Sequence, residues 1–211
     1  RERRQLMDEE DQRMTAFHEA GHALIAALLY KTKIKLHKVT IIPRGRALGL
    51  TMSTATKDIL GQSKNELVDD ICMAMGGRIG EEVETGDFSN GAAMDIKMAT
   101  STARHMVCDW GMSALGPIAF GDNEEHLFLG REISKTHNLS EETAKRIDEE
   151  ISNIISGQFN RAKGLIEENR AALTMIAEAL LEYETIEGKH VQEIVDFGEI
   201  RSEVISTKTE E

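Results

Sequence analysis

The sequence predicts a mainly α fold, with a small β element beside the first long helix and a helical bundle at the C-terminal end. Three observations lead there. Apolar residues recur at helical spacing over most of the chain, and only one stretch alternates like paired strands. The composition, with 2 prolines, 17 glycines, 1 tryptophan, 2 tyrosines and 6 phenylalanines in 211 residues, is poor in the turn and strand formers that sandwiches and barrels need. At 40% apolar, the chain can bury one sizeable core or two small ones.

Across residues 11–30, Met14, Phe17, Gly21, Leu24, Ile25 and Leu28 fall on one face of an amphipathic helix. Residues 39–42 (Val-Thr-Ile-Ile) read as a strand, 43–46 as a turn and 48–52 as a second strand, the only β signal in the chain. Ser63 followed by Glu66 is a capping box opening a helix striped by Leu67, Ile71, Met75 and Ile79; Gly76-Gly77 within it suggests close backbone packing. Residues 86–91 form a loop, and a helix from 92 to 110 stops at Gly111. The glycine-punctuated stretch 111–135 is too long for an idle connection and is expected to be packed or functional. Ser140 caps a long helix with Ala144, Ile147, Ile151, Ile155, Phe159 and Ile166 on one face, followed by helices at 171–182 and 191–197. The resulting domain spans 11–197, with the chemistry in 11–135 and the bundle in 136–197; 198–211 is polar and expected to be disordered.

Lysine and arginine total 25 against 37 acids, a formal charge of −12 that argues against nucleic acid as a partner. The longest apolar run, residues 23–30, is far short of the roughly 20 residues that cross a bilayer. Basic residues 1–4 lead into acidic 8–11, unlike a signal peptide, and the absence of an initiator methionine suggests a piece of a longer protein. Cys72 and Cys108 are isolated and fit reduced thiols.

Chemistry concentrates in the first helix, at His18-Glu19-Ala20-Gly21-His22. Four-residue spacing is about one turn, so both imidazoles leave the same face and can share one metal ion. Glu19, beside His18, cannot join them as a ligand but is placed to take a proton from metal-activated water and return it to a leaving amine. Imidazole with carboxylate suits zinc, and a catalytic zinc keeps three protein ligands, so the expected chemistry is amide hydrolysis. Small Ala20 and Gly21 and the apolar run that follows argue for a buried helix, where two unpartnered histidines would be costly. The third ligand must come from Glu81, Glu82, Glu84, Asp87, Asp95 or His105. Asp95 is favoured as an acid at a helix start flanked by Ala92, Ala93 and Met94, and Glu81 or Glu82 is a candidate outer partner of the metal.

These residues, with Gly45-Arg46-Ala47-Leu48-Gly49, Gly76-Gly77-Arg78, Glu81-Glu82, Trp110-Gly111-Met112, Leu115-Gly116-Pro117, Phe128-Leu129-Gly130-Arg131 and Ser140-Glu141-Glu142-Thr143-Ala144, stand in the order seen in the FtsH family of membrane-anchored ATP-dependent zinc proteases, which the chain resembles from about residue 11 to 197. The resemblance implies a zinc metallopeptidase domain with one zinc per subunit on His18, His22 and Asp95, and Glu19 as general base. It implies a homo-hexamer, an upstream AAA+ domain that alone would bind ATP, a membrane anchor before that, and unfolded or membrane polypeptides as substrates. The implied location is a bacterial inner membrane with this domain on the cytoplasmic side, or else a mitochondrial or chloroplast membrane. The family's Thr-Gly-Ala-Xaa-Asn-Asp stretch reads Asn90-Gly91-Ala92-Ala93-Met94-Asp95 here, retaining the aspartate. By the same analogy the strand residues Leu48, Gly49, Leu50 and Thr51 would receive an extended substrate by strand addition. No phosphate-binding loop is present, since Gly188-Lys189 is followed by His190. The chain alone is therefore expected to cleave only flexible polypeptides.

Overall fold

The computed structural model describes residues 8–30, 34–43, 50–54, 61–121 and 139–207. Within them the helices are α1 (Glu9–Leu29), α2 (Lys64–Thr85), α3 (Ala93–Cys108), α4 (Glu141–Glu168), α5 (Arg170–Tyr183) and α6 (Gly188–Phe197). The strands are β1 (Ile34–Thr40), β2 (Leu50–Thr54) and β3 (Thr185–Glu187).

Local signals set the helix ends. Asp8 caps α1 by accepting from the Asp11 amide at 2.8 Å, and Glu9, Glu10 and Asp11 complement the positive end of the helix dipole. The capping box on α2 is formed: the Ser63 amide donates to Glu66 Oε2 at 2.7 Å and the Glu66 amide to Ser63 Oγ at 3.2 Å. Ser140 caps α4 through the Thr143 amide at 3.1 Å. α1 is the central helix. Residues 16–27 are buried all round because alanines and glycine leave room for neighbours on every side.

α1 and α2 touch backbone to backbone. A Cβ on Gly21 would lie 2.0 Å from the Gly76 carbonyl oxygen, and one on Gly80 would lie 2.2 Å from that of Phe17. Only glycine permits this approach, which carries the Gly76-Gly77 step of α2 up to the histidine-bearing turn of α1. α4 packs on α2 and α3, and α5 on α1, so the C-terminal helices bundle with the first half of the chain. Phe17, Leu24, Ile25, Ile71, Ile79, Met106, Ile166, Leu173, Ile176 and Leu180 are fully buried between them.

The sheet is antiparallel, in the order β2-β1-β3, with Val39 opposite Leu50 on one side and Ile186 on the other. A bulge falls between Leu36 and Lys38. β1 begins five residues before the strand read from the sequence and ends at Thr40, two short of it, while β2 sits two residues later than expected. The charged residues Lys35 and Lys38 hid the start of β1, because a strand facing solvent on one side tolerates them. β3 was not expected at all: three residues between helices carry no alternation to read.

Residues 111–121 pack against the end of α3, with the Met112 amide donating to the Met106 carbonyl at 2.8 Å and the Phe120 amide to that of Cys108 at 2.7 Å. Residues 198–207, read from the sequence as disordered tail, instead fold back on α6. Ser202 binds Glu193 through its amide (3.1 Å) and hydroxyl (2.9 Å), and Ile200 and Val204 rest on the core. The two apolar side chains are too widely spaced to register as a pattern. Residues 208–211 lie outside the described residues.

Candidate metal centre

His18 and His22, one turn apart on α1, direct their Nε2 atoms to a single point 3.1 Å from each other. Asp95, in the first turn of α3, brings Oδ2 to 3.2 Å from both nitrogens. All three side chains are buried, and they form a group of metal-ligating type whose donor atoms lie within 4.8 Å of one another.

The partners on the far side of each ring decide what meets at that point. His22 Nδ1 is 2.8 Å from the Met73 carbonyl oxygen, which can only accept, so Nδ1 carries the proton. His18 Nδ1 faces Glu81 Oε2 at 3.0 Å in the same sense. With both rings neutral, as ligation requires, the two Nε2 atoms present lone pairs beside Asp95 Oδ2, so three acceptors converge on one point that needs a positive charge, a metal ion or else a proton on His18. Such a cluster calls for a cation. Asp95 Oδ1 is buried with no hydrogen-bond partner, which leaves a second carboxylate oxygen available in the same place. Gly77 lies directly against the donor atoms: a Cβ there would stand 2.4 Å from His22 Nε2 and 2.6 Å from His18 Nε2, so any larger residue would push into the point where they converge. The residues present therefore fit a tetrahedral zinc with two imidazoles and a carboxylate.

Electrostatics point the same way. Burial pulls the His18 pKa down, but the Asp95 and Glu81 carboxylates outweigh it and raise it from 6.5 to about 10. Burial pushes Asp95 up, and the two imidazoles overcome that to hold it at about 2. Glu81 is likewise lowered: burial raises it, while hydrogen bonds from His18 and Ser89 prevail. The carboxylates stay ionised around a spot that favours positive charge.

Glu19 is buried on α1 next to His18 and contributes to the field on its ring. The other third-ligand candidates are elsewhere. Glu84 pairs with Arg13, Asp87 is exposed and accepts from the Phe88 amide at 2.8 Å, and His105 pairs with Asp109 and stacks on Trp110 with ring centroids 5.2 Å apart. Glu82 belongs to none of the metal-ligating groups among the described residues. Asn90 and Met94, the two departures from the family stretch, are both exposed. Leu48 and Gly49 lie outside the described residues, while Leu50 and Thr51 open β2 at the sheet edge. Sequence reasoning did not find Gly77 or Ser89 as parts of the site. The Gly-Gly step signalled close packing for Gly77, but nothing local marked Ser89.

The model of peptidase family M41 matches residues 5–194. The chain is 48% identical over 202 residues, 95% of its length, to a protein of Myxococcus xanthus named ATP-dependent zinc metalloprotease FtsH. It is 48% identical over 95% of its length to FtsH 2 of Methylacidiphilum infernorum, and 42% identical over 97% to FtsH of Buchnera aphidicola. It spans about a third of the length of these curated relatives, namely 32%, 31% and 34%.

Proposed function

The chain belongs to peptidase family M41, and on that premise we propose that it is the proteolytic part of a membrane-anchored, ATP-dependent zinc protease that degrades unfolded or membrane proteins. His18, His22 and Asp95 hold one zinc per subunit. The observation that carries this is the convergence of three acceptor atoms in front of the side-chain gap at Gly77. Bound there, zinc supplies a Lewis acid for the scissile carbonyl and makes water acidic enough to lose a proton near neutral pH.

The chain's own residues do the rest. Glu19 takes that proton and hands it to the departing amine. Glu81 and the Met73 carbonyl fix the two rings in the tautomer that leaves Nε2 free to ligate. The substrate joins β2 as an additional strand, its backbone pairing along Leu48, Gly49, Leu50 and Thr51. Main-chain hydrogen bonds tolerate varied side chains, as a degradative enzyme requires. The relatives' names carry ATP dependence; the rest of the wider setting follows from the family resemblance alone, in which ATP would be used by an upstream AAA+ domain, the active form would be a homo-hexamer, and the parent would be anchored in a bacterial inner membrane with this domain on the cytoplasmic side. Among the described residues no helix is long and apolar enough to cross a membrane.

Glu19→Gln tests the mechanism. Zinc content should be unchanged while cleavage of a flexible substrate such as casein falls by about 10²–10⁴-fold; full activity in this variant would overturn the assignment.

A further inference from the structure

We propose that Ser89 is a positioning residue of the metal centre, its one hydroxyl tying the segment that orients His18 to the turn that launches Asp95. The proposal rests on the metallopeptidase reading above. Ser89 lies between α2 and α3, outside the donor group itself. Its Oγ hydrogen-bonds Glu81 Oε1, and its amide approaches the same oxygen at 3.4 Å. The other oxygen of that carboxylate, Oε2, receives His18 Nδ1 at 3.0 Å. Ser89 Oγ also accepts from the Gly91 amide at 3.0 Å, capping the short turn Asn90–Ala92 that runs straight into α3.

The directions of these bonds are forced. Gly91 N–H can only donate, and the ionised Glu81 can only accept, so the single hydroxyl proton goes to Glu81 and a lone pair takes the Gly91 amide. Both capacities are used at once. The relay Ser89 to Glu81 to His18 fixes a ligand on α1, and the cap from Ser89 to Gly91 fixes the start of the helix that carries Asp95. Two ligands from distant parts of the chain are thereby held to a common reference.

A plain helix cap would need only the acceptor; the relay needs the donor too. Ser89→Asp separates the two, since a carboxylate caps well but has no proton for Glu81. Ser89→Ala removes both functions and Ser89→Thr keeps both. Zinc affinity of the apo-protein, measured by competition with a chromophoric chelator, should fall about 10- to 100-fold in Ser89→Ala and Ser89→Asp, the usual cost of losing an outer-shell partner, and be restored in Ser89→Thr. Casein cleavage at saturating zinc should show a lower kcat with KM unchanged, because the substrate-binding strand is untouched. Circular dichroism checks that each variant is folded; if Ser89→Asp is not, the Ala and Thr pair decides. Wild-type affinity in folded Ser89→Ala, or in folded Ser89→Asp, would overturn the relay. Failure of the metal reading looks different: wild type would bind no zinc, or His18→Ala would bind it equally well.

Discussion

Gly77 leaves no room for even one methyl group beside the candidate metal centre. Adding one methyl group would place carbon 2.4 Å from His22 Nε2. Gly77→Ala is therefore expected to abolish zinc binding in a protein that still folds, read by metal analysis alongside circular dichroism. Asp95→Asn trades a charged ligand for a neutral amide, so zinc content after dialysis should drop and peptidase activity with it; unchanged values for both would remove Asp95 from the ligand set. What the sequence disclosed at this scale follows from distance along the chain. His18, Glu19 and His22 share one turn, so their relation is a matter of helix geometry and could be read directly. Asp95 was favoured on its apolar surroundings and the family motif. Glu81 stood among several acids, and only tertiary structure shows its two oxygens divided between His18 and Ser89.

The crossing of α1 and α2 governs the next level. Gly21, Gly76 and Gly80 let the helices meet without side chains between them, and Gly21→Ala would set a Cβ 2.0 Å from the Gly76 carbonyl oxygen. Backbone cannot rotate aside as a side chain can. The expected loss is at least the about 1–3 kcal/mol typical of overpacking, visible as a lower urea midpoint, with zinc affinity falling in parallel because Glu81 and the Met73 carbonyl, which orient the two imidazoles, move away with α2. The starts of α2 and α4 were readable because each is announced chemically, by Ser63 with Glu66 and by Ser140 with Thr143. Strands had no comparable markers. β1 mixes lysines into its solvent side, and β3 is made by its pairing with Val39 rather than by its own three residues.

For the molecule as a whole, acidity acts through the buried charges. In protein stripped of metal, His18 is raised from 6.5 to about 10, so its contribution to stability is complete below pH 6.5 and lost as pH climbs through 10. Asp95, lowered from 3.8 to about 2, contributes above pH 3.8 and loses this as pH falls through 2. Urea unfolding of chelator-treated protein should therefore weaken between pH 6.5 and 10, and zinc-loaded protein should not share this alkaline loss through His18, where metal replaces the proton. A midpoint flat across that window in the stripped protein would refute it. Removing residues 199–211 strips Ile200, Val204 and the Ser202–Glu193 pair from α6, and should lower the melting temperature without altering zinc affinity. Finally, His22 and Asp95 stand 73 residues apart in sequence. A cation gripping both closes a covalent-like loop through α2, so the chain unfolds as a lasso and not as an open string for as long as the grip holds. Disulfides closing loops of this size restrict the denatured ensemble by about 4–5 kcal/mol. Cys72 and Cys108 form no such bond, and in this chain the topological cross-link would be made by the reaction centre itself.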